Sequence, residues 1–115
     1  MDITRMHPGP RMSQIVVHGN TLYLSGKTAS NPDADTGAQT RDILGQIERL
    51  LGEAGSSKSN LLAATVYLAE IRDFNAMNEV WDAWIDPDNP PARTTVQARL
   101  ARPNIRVEIT VIAAR

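Results

Sequence analysis

The chain contains no cysteine, which excludes disulfides, thiolate nucleophiles and Cys-type zinc sites. It has only two histidines, His7 and His18, and no HExxH or other clustered ligand spacing, so zinc hydrolysis has no donor set to use. A glycine-rich phosphate loop is also missing. There is no surplus charge of either sign: 12 basic against 13 acidic residues, a formal net charge of −1 and no long run of one sign. Nothing in that balance attracts a phosphate backbone or an anionic membrane. No apolar stretch approaches the roughly 20 residues a bilayer span needs, and the N-terminus MDITRMHPGP lacks the apolar core of a signal peptide. The cytoplasm is the expected compartment. Repeats and low-complexity segments are absent as well.

At 115 residues, 42% of them hydrophobic and 22% charged, the composition is that of a globular chain able to form one core. Residues 1–115 are expected to form a single domain. Ile3 to Met6 reads as a short edge strand that His7-Pro8-Gly9-Pro10 breaks. Gln14–His18 and Thr21–Ser25 are β-rich runs split by Gly19-Asn20, a hairpin signature. Thr36-x-x-Gln39 has capping-box spacing and predicts a helix starting just after Thr36. Ile43, Leu44, Ile47, Leu50, Leu51 and Ala54 form its apolar stripe, and Gly55 is placed to end it in the left-handed conformation. Leu61 to Ala69 reads as a central strand covered on both faces, because its alternation is weak. Asp73 is the expected N-cap of a second helix. Its stripe is Phe74, Met77, Trp81, Trp84 and Ile85, with the tryptophans as core anchors rather than a platform for bases. Asn78 sits at the edge of that stripe and needs a partner, either backbone or a ligand. His18 reads as a surface or cap residue.

The segment Pro90–Arg115 carries the chemistry. Thr94, Val96, Ala98 and Leu100 alternate with Arg93, Thr95, Gln97 and Arg99; further on, Val107, Ile109 and Val111 alternate with Arg106, Glu108 and Thr110. Period two on both sides of Pro103-Asn104 predicts two strands joined as an antiparallel hairpin. With the turn between Arg102 and Pro103, Gln97 faces Glu108 and Thr95 faces Thr110, and Arg93 lies roughly 13 Å along the strand from the Glu108 level. A guanidinium grips a carboxylate at two points, and a lone carboxylate on an apolar strand can act as a general base. The same spacing also suits a cross-strand ion pair that stabilises a hairpin by a few tenths of a kcal/mol.

Pro91-Ala92-Arg93-Thr94-Thr95-Val96, followed fifteen residues after the arginine by Glu108 in Val107-Glu108-Ile109, resembles the signature of the RidA/YjgF family of enamine/imine deaminases. FNAMNEVWDAW and TVQARL are most similar to its YoaB-like branch. The similarity runs from about Pro10 to Ala114. It implies an α+β, chorismate-mutase-like fold in the order β-β-β-α-β-α-β-β, a mixed sheet with two helices on one face. It further implies a homotrimer with clefts between subunits, and a hydrolase of the 2-iminobutanoate/2-iminopropanoate deaminase type. Arg93 would then anchor the substrate carboxylate and Glu108 would activate water. Thr95 matches a position, a cysteine in many relatives, whose backbone touches the substrate, and Ser25, Gly26 and Asn78 match other cleft positions. No metal or cofactor is demanded, because an imine is already activated. One departure stands out. Met12, two residues before Gln14, occupies the place of a tyrosine in the family's best-known branch, which leaves Arg11 as a candidate substitute donor. A non-catalytic regulatory trimer that binds small carboxylates is the alternative on the same fold. A ribonuclease or translation-inhibitor role, an old label of the family, gains little from a slightly acidic chain with two histidines.

Overall fold

A computed structural model describes all residues, Met1–Arg115. Seven strands and two α-helices follow in the order β1 (Ile3–Pro8), β2 (Ser13–His18), β3 (Thr21–Leu24), β4 (Lys27–Thr28), α1 (Thr36–Glu53), β5 (Leu61–Leu68), α2 (Phe74–Trp84), β6 (Ala92–Gln97) and β7 (Val107–Ala114). They form one mixed sheet with spatial order β1-β2-β3-β7-β5-β6, to which β4 adds against β7. The α+β, chorismate-mutase-like architecture matches the expected one, with the two-residue β4 as an addition.

The first hairpin is as predicted, with His18 opposite Thr21 and Gly19 at φ +61° in the turn. At the outer edge, β1 runs through Pro8, beyond the predicted break, and tolerates His7 at φ +51°. Helix α1 begins at Thr36, but its cap is Asp35, whose side chain accepts from the Ala38 N–H at 2.8 Å. The predicted capping box does not form. Gln39 is instead fully buried: its Nε2 donates to the Pro32, Ala34 and Asn104 carbonyls, and its Oε1 accepts from the Arg106 N–H. An amide that reaches four backbone groups across two loops, one N–H shared between two carbonyls, outcompetes reciprocal capping of one helix end. Gly55, at φ +78°, closes α1 as expected, with the Ser56 N–H returning to the Leu51 carbonyl at 2.8 Å.

The predicted C-terminal hairpin is overturned. β6 pairs with β5 in parallel, β7 pairs with β5 antiparallel, and β5 therefore lies between them. The reason is topological. β5, α2 and β6 form a strand–helix–strand unit, and such a crossover returns the chain parallel to where it began. Residues 98–106 then pass around the end of β5. The Ala98 N–H bonds the Leu68 carbonyl and the Ala69 N–H bonds the Arg106 carbonyl, at 2.9 and 3.0 Å. Register changes too: Arg93 is level with Ala64 and Val111, and Glu108 with Tyr67 and Val96.

The core lies between the helices and one face of the sheet. Ile43, Leu44, Ile47 and Leu51 of α1 meet Val66, Leu68, Val107 and Ile109, all 0–1% exposed. Ala63, Thr65 and Tyr67 point the other way and remain half-buried, so β5 is central but, within one chain, covered on one face rather than two. That second face also exposes Tyr23, Val96 and Ile112.

Candidate functional site

Directly paired residues on neighbouring strands point to the same side of a sheet. Arg93 is paired with the buried Ala64, and thus lies on the helix-covered face, whereas Glu108 lies on the other. The expectation that the two converge on one face of a hairpin fails with the hairpin. The sequence-predicted residues fall instead into two clusters.

The first cluster surrounds Arg93 at the sheet edge. Phe74, Met77 and Trp81 recur on α2 at i, i+3 and i+7 and form a cage for its guanidinium. The Arg93 Cζ lies 5.1 Å from the Trp81 ring centroid and 6.0 Å from that of Phe74, and Nη1 is 3.9 Å from the Met77 sulfur. Cation–π attraction offsets part of the lost hydration. Burial lowers the Arg93 pKa from its ordinary value, with the Asp82 carboxylate opposing, and an arginine remains charged throughout the working range. Arg93 takes part in none of the chain's ion pairs. Two neighbouring polar atoms are also buried without a partner, Asn78 Oδ1 on α2 and Thr95 Oγ1 on the strand of Arg93. A desolvated cation and two orphan oxygens in one neighbourhood form a surface lacking an acceptor and donors that something else must bring.

The second cluster surrounds Glu108 on the uncovered face. A cleft of 470 Å³ is bordered by Met12, Ser25, Gly26, Thr28, Arg102 and Glu108 among others. β4 sets Thr28 opposite Glu108. A Cβ at Gly26 would overlap the Glu108 carboxylate and sit 3.1 Å from its Cδ, so a side chain there would displace that carboxylate from its present position. Ser25 is pinned from two sides: its N–H bonds the Gln14 carbonyl at 3.1 Å, and Thr110 Oγ1 donates to the adjoining Leu24 carbonyl at 2.9 Å. Met12 borders this cleft, while Arg11 does not contribute to its lining.

Ser25, Gly26 and Glu108 are therefore brought together, as are Arg93, Asn78 and Thr95, but the two groups are on opposite faces of one sheet. The largest cavity, 770 Å³ between α1 and α2, is bordered by none of the six. Sequence reasoning missed the aromatic cage, whose stripe on α2 reads as core, and it missed Lys27, discussed below. The strand–helix–strand order was the available signal that Arg93 would be carried away from Glu108. No group of histidines and carboxylates in the chain is placed to hold a metal ion, and no helix is long and apolar enough to cross a membrane.

Comparison with known proteins is consistent along the whole chain. Residues 3–115 match the family model described as endoribonuclease L-PSP. The RutC family protein YoaB of Escherichia coli K12 is 46% identical over 114 residues, covering 99% of both chains. A RutC family protein of Haemophilus influenzae is 40% identical, covering 98% of both. Among solved structures, a YjgF-family protein from Neisseria meningitidis superposes with a TM-score of 0.96 at 45% identity, covering 100% of this chain and 96% of that one.

Proposed function

We propose, from the premise that the chain belongs to the RidA/YjgF family, that it hydrolyses reactive 2-imino and enamino acids to 2-oxo acids and ammonia. The observation that carries this reading is the Arg93 guanidinium, caged by Phe74, Met77 and Trp81 and ion-paired to no carboxylate of its own chain, with Asp82 acting on it only from beyond contact. A structural ion pair would have supplied that carboxylate. A preorganised fork with no ion-pair partner in its own chain suits a ligand that carries a carboxylate.

The reaction asks for little beyond placement. Arg93 holds the carboxylate, with Asn78 and Thr95 lining the same cluster. Glu108 takes a proton from water as the oxygen adds to the imine carbon, then returns it to nitrogen. Glu108 next passes the new hydroxyl's proton to the amine nitrogen, the C–N bond breaks, ammonia leaves and the carbonyl forms. Ser25 and Gly26 border the water side. Because Arg93 and Glu108 occupy opposite faces of one sheet, the working site takes its two clusters from different copies of the chain. A homotrimer with clefts between subunits meets that requirement, and the exposed Tyr23, Val96 and Ile112 offer apolar surface for it.

Complementation tests this arrangement. Arg93→Ala and Glu108→Gln chains, each inactive alone, are co-expressed and assayed for imine hydrolysis. Random mixing leaves intact sites at about a quarter of the interfaces, and activity should return to that level. Mixtures as inactive as either parent would sink the shared-site reading.

A further inference from the structure

Lys27 is 6% exposed. It pairs with Ile109, the parity of the core, and forms no ion pair. Its Nζ donates to Gln14 Oε1 and, at 3.0 Å, to Ser25 Oγ. A buried lysine without a carboxylate is costly, so its retention calls for a function of the charge. The groups around it are few. Gln14 faces it from β2, Ser25 from the corner after β3, the apolar Ile109 from β7, and the Arg49 guanidinium acts on it from α1. Burial first, and Arg49 second, lower its pKa from the ordinary lysine value.

An ammonium has three N–H donors and no acceptor, whereas a serine hydroxyl both donates and accepts. When Nζ donates to Ser25 Oγ, the oxygen is committed as an acceptor toward Lys27, which does not line the cleft. Its own proton is left to point elsewhere, and Ser25 borders the cleft that contains Glu108. We propose that Lys27 is a positioning residue: it fixes the Ser25 hydroxyl as a donor into the Glu108 cleft, where it binds an oxygen of the carboxylate-bearing ligand. This deepens the proposed function and rests on it for the ligand's identity. Loss of the Lys27 proton reverses the effect. A neutral amine accepts hydrogen bonds, and Ser25 can then turn its proton inward, away from the ligand.

The test uses the full-length chain, with steady-state hydrolysis of a 2-imino acid and, separately, equilibrium binding of pyruvate by calorimetry. Both are followed from pH 7 upward, and thermal melting confirms folding. K27M keeps the stem and removes the charge. It should raise KM and the pyruvate Kd about tenfold, the scale of one lost hydrogen bond, with kcat little changed. Wild type should lose affinity as pH rises, with a midpoint below the ordinary lysine value of 10.5. K27R, which stays charged, should retain affinity and abolish that alkaline limb. S25A and K27M should be non-additive, because both remove one contact. K27M with wild-type KM and Kd at every pH, or fully additive losses with S25A, would overturn the proposal. Wild type that binds pyruvate without hydrolysing imines would refute the hydrolase reading alone and leave the Lys27 test intact. Wild type that does neither refutes both.

Discussion

The two faces of the sheet differ in how finished they are. The helix-covered face is packed to near zero exposure from Ile15 through Ile47 to Val107, and Gln39 is held there by four backbone partners, while Asn78 and Thr95, toward Arg93, have oxygens without a partner. The uncovered face presents Tyr23, Val96 and Ile112 at 36–43% exposure and holds Glu108 beside a small cleft. One face makes the chain fold and the other is left for something to complete. The candidate chemistry gathers where finish is lacking: Glu108 on the bare face, and Arg93 at the sheet edge, where α2 supplies rings but no ion-paired carboxylate.

The contrast can be broken most sharply at Glu108. Glu108→Gln preserves shape but cannot take a proton, so imine hydrolysis should fall about 10²–10⁴-fold while pyruvate affinity changes little. Equal loss of both would leave a binding site without catalysis, the alternative role for this fold. A second comparison sets one face against the other. Ile47→Ala should lower the free energy of unfolding by about 2–5 kcal/mol in urea titration. Ile112→Ala should cost well under that in a dissociated chain but shift sedimentation toward smaller species; an Ile112 variant that stays assembled would show that this face is not a contact. The smallest effect concerns the edge. Arg93→Lys keeps the charge and loses the planar fork, and kcat/KM should drop about ten- to hundredfold, the scale of a charge-assisted contact. A lysine variant as active as wild type would remove the anchoring argument.

Much of this was legible in the sequence, because period and punctuation report local structure. The α1 stripe, the Gly19 hairpin and the Gly55 stop depend on neighbours in the chain, and each formed as read. Pairing order does not depend on neighbours. Alternation in β6 and β7 identified two strands correctly but carried no information on the strand that separates them, which comes from residues 61–68. The polar parity of β6, holding Arg93 and Thr95, consequently shares a face with the apolar parity of β7. Lys27 was illegible for a related reason. Between Tyr23, which pairs with Ile112, and Lys27, which pairs with Ile109, the register slips by one residue, and a slip of one reverses which side chains point inward.

The outermost strand β1 has a further consequence. A proline at its end and a histidine forced into the left-handed region spoil the row of donors and acceptors that an incoming strand would need. Pairing of another strand along that border is therefore disfavoured. In the proposed trimer, association falls to the broad flat side instead.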